Sequence, residues 1–133
     1  MTYGTVLVGT DGSITAGRAV RRAVDISAHF GARLLVAYVG EAALGIEVLE
    51  GVERQYAEAG IRIVTSLLTG DAADALLGLA AAERVDLVVV GNRGMSGPQR
   101  LLLGSVPDKL IRRSTCDVLV VRTTSGTGSG GDR

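Results

Sequence analysis

The residues best able to do chemistry in this chain are a set of glycines and one aspartate. Gly91 and Gly94 lie in Gly91-Asn92-Arg93-Gly94-Met95-Ser96-Gly97, directly after the most apolar segment, and Gly104-Ser105 opens an amphipathic stretch further on. Glycine has no Cβ, so the backbone can come close to an anion. If a helix begins at Ser105, the amides of Ser105, Val106 and Asp108 point toward that anion and the helix dipole adds to the attraction. This is phosphate-binding chemistry. It differs from a P-loop, because the lysine of Gly-x-x-x-x-Gly-Lys is missing and the glycines straddle a longer loop. Arg93 and Arg100 bring positive charge to the same stretch, for a phosphate or for solvent. Asp11, in Gly9-Thr10-Asp11-Gly12-Ser13, would repel phosphate but accepts hydrogen bonds from ribose hydroxyls. A sugar at Asp11 and phosphate at Gly91 to Ser105 are consistent halves of one nucleotide site. The plainer role for Asp11 is to cap the helix that follows it. With no carboxylate cluster to hold Mg2+ alone, magnesium would arrive through the phosphates of a nucleotide.

These loops need elements to hold them. Thr5 to Val8, Leu34 to Val39, Ile61 to Leu67, Leu87 to Val90 and Val118 to Val121 are short apolar, largely β-branched runs and are predicted as strands. Between them the apolar period changes to that of a helix. Val20, Ala23, Ser27 and Phe30 share one face and Gly31 closes that helix; Gly45, Leu49, Val52, Tyr56 and Ala59 mark a second, closed by Gly60. Asp71 can cap a third over Ala73, Leu76, Leu77 and Ala80, and Ser105 with Asp108 resembles a capping box for a fourth. Strands apolar on both faces and alternating with helices imply a parallel sheet covered on both sides, an open doubly wound α/β domain. Ligands of such sheets bind outside the strand carboxyl ends where the winding reverses. If strands one and four are neighbours, both loops face one crevice. Residues 1–122 read as one domain, and the Gly/Ser/Thr-rich tail 123–133 as disordered.

Composition removes several classes of function. Of 133 residues 47% are hydrophobic, enough for one core, and fourteen Lys and Arg offset fourteen Asp and Glu. Net zero charge takes away the basic field on which non-specific nucleic-acid or anionic-membrane binding depends. With only Tyr3, Phe30, Tyr38 and Tyr56 as aromatics, base stacking on single strands is disfavoured. One cysteine, Cys116, and no apolar run of about 18 residues suggest a cytoplasmic protein away from the membrane. Cys116 reads as a passive small residue and His29 as a solvated one. A phosphotransfer receiver would need an acidic pair after strand one, an Asp ending strand three and a Lys ending strand five; these places hold Asp11 alone, Leu67-Leu68-Thr69 and Arg122. A flavodoxin-like FMN carrier is imitated by Thr10, Ser13 and Thr15, but Asp11 would oppose the flavin phosphate. No His-carboxylate pair or activated nucleophile is visible, so an enzyme here would be a slow ATP hydrolase or a self-phosphorylating protein; binding without efficient catalysis is the better reading.

Gly91-Asn92-Arg93-Gly94, nine residues, then Gly104-Ser105-Val106 resembles the Gly-x2-Gly-x9-Gly-Ser/Thr nucleotide motif of the universal stress protein family. Val8 to Ser13 and Asp117 to Arg122 are similar to that family's opening and closing strands, so the resemblance runs over residues 3 to 122. It implies strand order 3-2-1-4-5 and ATP bound with adenine near Gly9 and Val39. By the same resemblance Asp11, beside Thr10, meets ribose, and Gly91, Arg93, Gly94, Gly104, Ser105 and Val106 meet ribose and phosphates. It also implies a homodimer joined through strand five, whose apolar run carries no internal charge or proline to discourage edge pairing. The segment between strands two and three is shorter than is usual in the family, so a lid over adenine would be reduced. Gly104-Ser105-Val106-Pro107 is also similar to a branch that binds cyclic AMP, which leaves the nucleotide open between ATP and cyclic AMP.

Overall fold

The computed structural model describes residues 2–92 and 105–122. Elements alternate along the chain: β1 (Thr5–Thr10), α1 (Ile14–Phe30), β2 (Arg33–Val39), α2 (Ala42–Gln55), β3 (Ile63–Leu68), α3 (Ala72–Ala82), β4 (Leu87–Gly91), α4 (Ser105–Arg113) and β5 (Asp117–Val121). The strands form one parallel sheet in the order β3-β2-β1-β4-β5, so the winding reverses between β1 and β4. Successive strand residues point to opposite faces, and two cores follow from that alternation. Val6, Val8, Leu34, Val36 and Val89 pack beneath α1 and α2, while Leu7, Leu35, Val88 and Val90 pack against Ala73, Leu76, Val106 and Leu110 of α3 and α4. The predicted tail 123–133 lies outside the described residues.

Local signals account for several helix ends. Gly31 adopts φ 67°, and the amide of Ala32 reaches back to the carbonyl of Ser27 at 2.9 Å, a left-handed cap that costs glycine little. Asp71 caps α3 by accepting the Asp74 amide at 3.0 Å. Two expectations are corrected. The second helix ends at Gln55, a turn before Ala59, although Tyr56, Ala59 and Ile61 still pack on the core. Their spacing reported burial and not helix, because the chain has to turn there to bring Arg62 alongside Leu34 at 2.8 Å. The anticipated capping box is also altered: Asp108 accepts from Arg112 at 3.1 Å, a pairing one helical turn along. In α1, Ser27 is fully buried and its hydroxyl has no hydrogen-bond partner among the described residues.

Candidate functional site

The register Val8↔Val89 brings the Gly9–Asp11 end of β1 beside the Val90–Gly91 end of β4. Gly9, Thr10 and Gly91 are buried, which fixes the floor of the crevice. The Thr10 hydroxyl, 2% exposed, accepts the amide of Gly12 at 3.1 Å, and the Asp11 carboxylate accepts the amide of Ser13 at 2.9 Å through Oδ1. The helix cap is Ser13, whose hydroxyl accepts the Ala16 amide at 3.1 Å. Capping is therefore not what Asp11 does. Half-buried and held by an Asx turn, it keeps Oδ2 without a partner among the described residues. That oxygen is available to a hydroxyl donor.

Across the switch point, the Asn92 amide continues the ladder to the Val121 carbonyl at 2.9 Å. Ser105 is exposed at the head of α4, while Val106, 5% exposed, anchors that turn in the core with Val90. Val39, half-buried, ends β2 on the other side of β1 and pairs with Leu68. Gly9, Thr10, Asp11, Val39, Gly91, Ser105 and Val106 thus all lie at the carboxyl edge of the sheet or at the head of a helix leaving it. Arg93, Gly94 and Gly104 lie outside the described residues. Among the described residues, no group of three or more His, Cys, Asp or Glu is placed to hold a metal ion, and no helix is long and apolar enough to cross a membrane.

Some features of the site had no reading in the sequence. Gly12 has φ +85°, and a Cβ there would stand 2.6 Å from Cγ2 of Val48, so α2 presses directly on the loop that carries Asp11. A groove of about 830 Å3 follows α1 and α2 and meets this loop at Thr10, Gly12 and Ser13. On the opposite face, Lys109 donates to Asp74 at 3.0 Å and to Asp71 at 3.3 Å. The Asp74 amide, and after it the Lys109 ammonium, hold the Asp71 carboxyl below its ordinary range, and the Asp74 and Asp71 carboxylates hold Lys109 above its own. The contribution of Asp71 is lost only as pH falls through its lowered pKa, and that of Lys109 only as pH rises through its raised one, so both stay charged across the neutral range. Nothing local in the sequence pairs Asp71 with a residue 38 positions away.

The family model described as "Universal stress protein family" matches residues 2–45 and 40–122. A universal stress protein of Mycobacterium tuberculosis is 38% identical over 145 residues, spanning 92% of this chain and 98% of that protein. Another, from Thermus aquaticus, is 37% identical over 136 residues, spanning 90% of this chain and 99% of that protein. Among solved structures, a universal stress protein in complex with cAMP is 42% identical, with a TM-score of 0.81 over 93% of this chain and 100% of that one. With the observed strand order and the Gly91 and Gly104-Ser105 motif of the sequence, these matches establish that the chain belongs to the universal stress protein family.

Proposed function

We propose that the protein binds one adenine nucleotide per chain in the crevice between β1 and β4, and acts in the stress response as a sensor or regulator without efficient catalysis. The observation that carries this is the juxtaposition at the switch point: an aspartate with an oxygen to offer ribose lies across from Gly91 and the head of α4, where phosphates find helix amides. Adenine contacts fall to Gly9 and Val39, ribose contacts to Asp11 beside Thr10, and ribose and phosphate contacts to Gly91, Arg93, Gly94, Gly104, Ser105 and Val106. The Gly-x2-Gly-x9-Gly-Ser spacing favours ATP, with Mg2+ carried on its phosphates. Cyclic AMP is the second reading, favoured by the 42% identity to a relative described in complex with cAMP. Either ligand, an intracellular nucleotide, would fit a cytoplasmic location.

A thermal-shift series with ATP, ADP, AMP and cyclic AMP tests occupancy and preference together. At a hundred times Kd the bound ligand adds roughly 2.7 kcal/mol of stability, several degrees of melting temperature. Asp11→Ala is expected to weaken binding by about 1–3 kcal/mol, the loss of hydrogen bonds to a charged acceptor. No shift with any of the four ligands would sink the reading. The edge strand β5 supports a second proposal, a homodimer. Val118, Leu119 and Val120 are only half-buried in the single chain, and two copies joined about a two-fold axis would cover them. Sedimentation should give twice 13.7 kDa at micromolar concentration, and Val120→Lys should return the mass to that of one chain.

A further inference from the structure

A group of charged side chains joins the first turn of α3 to α4. Lys109 Nζ lies 3.0 Å from Asp74 Oδ1 and 3.3 Å from Asp71 Oδ2, and Arg113 Nη1 lies 3.9 Å from Asp74 Oδ1. Asp71 is not a swinging partner, because the same Oδ2 accepts the Asp74 amide and caps α3. Taken singly, such partly exposed pairs contribute little to stability. Their place in the fold gives them another use. α4 has nine residues, and its buried anchors, Val106, Pro107 and Leu110, all fall within one turn on a single side of the helix. Anchors confined to one turn leave the tilt of a short helix to its lateral contacts. Lys109 lies beside those anchors, one turn beyond Ser105, and pulls on a capped and therefore fixed helix end.

Given the adenine-nucleotide site proposed for the crevice, the geometry points to Lys109 as a positioning residue: by bridging Asp74 and Asp71 it sets the first turn of α4, and with it the Ser105 and Val106 amides, where a nucleotide's phosphates meet them. Lys109 is not itself the phosphate ligand, since its ammonium is already shared by two carboxylates. These two roles predict opposite signs for one substitution. Asp74→Asn removes a negative charge near the site and releases Lys109; a direct phosphate contact, or simple Coulomb attraction, would make ATP and cyclic AMP bind more tightly. The positioning role makes them bind more weakly, by roughly fivefold. Lys109→Met should lose a similar factor, while Lys109→Arg, which can span the same two carboxylates, should stay near the wild-type affinity. Titration calorimetry with ATP and with cyclic AMP on the full chain, accompanied by melting curves without ligand, reads all three variants. Wild-type protein that binds neither ligand would overturn the nucleotide site itself. Wild-type protein that binds, with Asp74→Asn binding equally or more tightly, would overturn the role of Lys109 alone.

Discussion

Gly12→Val is expected to reduce nucleotide affinity by roughly a hundredfold or more, the scale of a misplacement of about 1 Å in a binding constellation. Gly12 follows Asp11 directly and holds φ +85°, a conformation that disfavours any L side chain by about 1–2 kcal/mol and a β-branched one most. The new Cβ would also stand 2.6 Å from Cγ2 of Val48. Val48 cannot swing clear, since a β-branched residue within a helix is held near one χ1 rotamer. The loop must therefore shift, breaking the turn in which Gly12 donates to Thr10 and Ser13 to Asp11. The elements on either side are anchored in the core, so the fold should survive while the carboxylate of Asp11 moves. Calorimetry on the variant checks this, with circular dichroism to verify folding. An affinity within threefold of wild type would mean that Asp11 does not meet the ligand, or that α2 yields more readily than its packing implies.

The second large effect is on stability. Gly45 is buried in α2, and a Cβ there would stand 2.4 Å from Leu67 Cδ1 and 2.6 Å from Cδ1 of Tyr38. Leu67 ends in a flexible, partly exposed chain that can move aside; Tyr38, 6% exposed within the sheet, cannot. Helix propensity favours replacement of glycine by about 1 kcal/mol for alanine and less for a β-branched residue, and overpacking opposes it by about 1–3 kcal/mol for the first carbon, more for a branched side chain. Packing wins. Gly45→Val should destabilise the protein by about 3 kcal/mol, lowering the melting temperature by roughly 10 °C. Gly78, in the middle of α3, is the control, because a Cβ there meets nothing within 4 Å. Gly78→Ala should stabilise by about 0.5–1 kcal/mol. Denaturant unfolding of both variants reads the two signs side by side, and a neutral Gly45→Val would show α2 to be seated more loosely than the contacts require.

The sequence by itself determined the features that rest on short-range chemistry. The strand cores at Val6 to Val8, Leu34 to Val36 and Leu87 to Val90 follow from β-branched apolar runs, and the end of α1 at Gly31 and the start of α3 at Asp71 from a left-handed cap and a side-chain acceptor. Each involves residues within a turn or two, so neighbours in sequence carry the information. The open parallel sheet follows from the alternation of these runs with amphipathic helices. The Asp11 and Gly91 loops were likewise legible, because residue type and strand end sufficed to find them. Only the tertiary structure decided how the site is braced. That Val48 presses on Gly12, that Gly45 touches Tyr38 and Leu67, and that Lys109 spans Asp71 and Asp74 are contacts between elements. Periodicity marks Gly45 and Tyr56 only as inward-facing, and it could not tell a helix from a turn at Tyr56. Which side chain an inward residue meets depends on the strands that lie beneath its helix, and strand order is set by pairing between segments tens of residues apart.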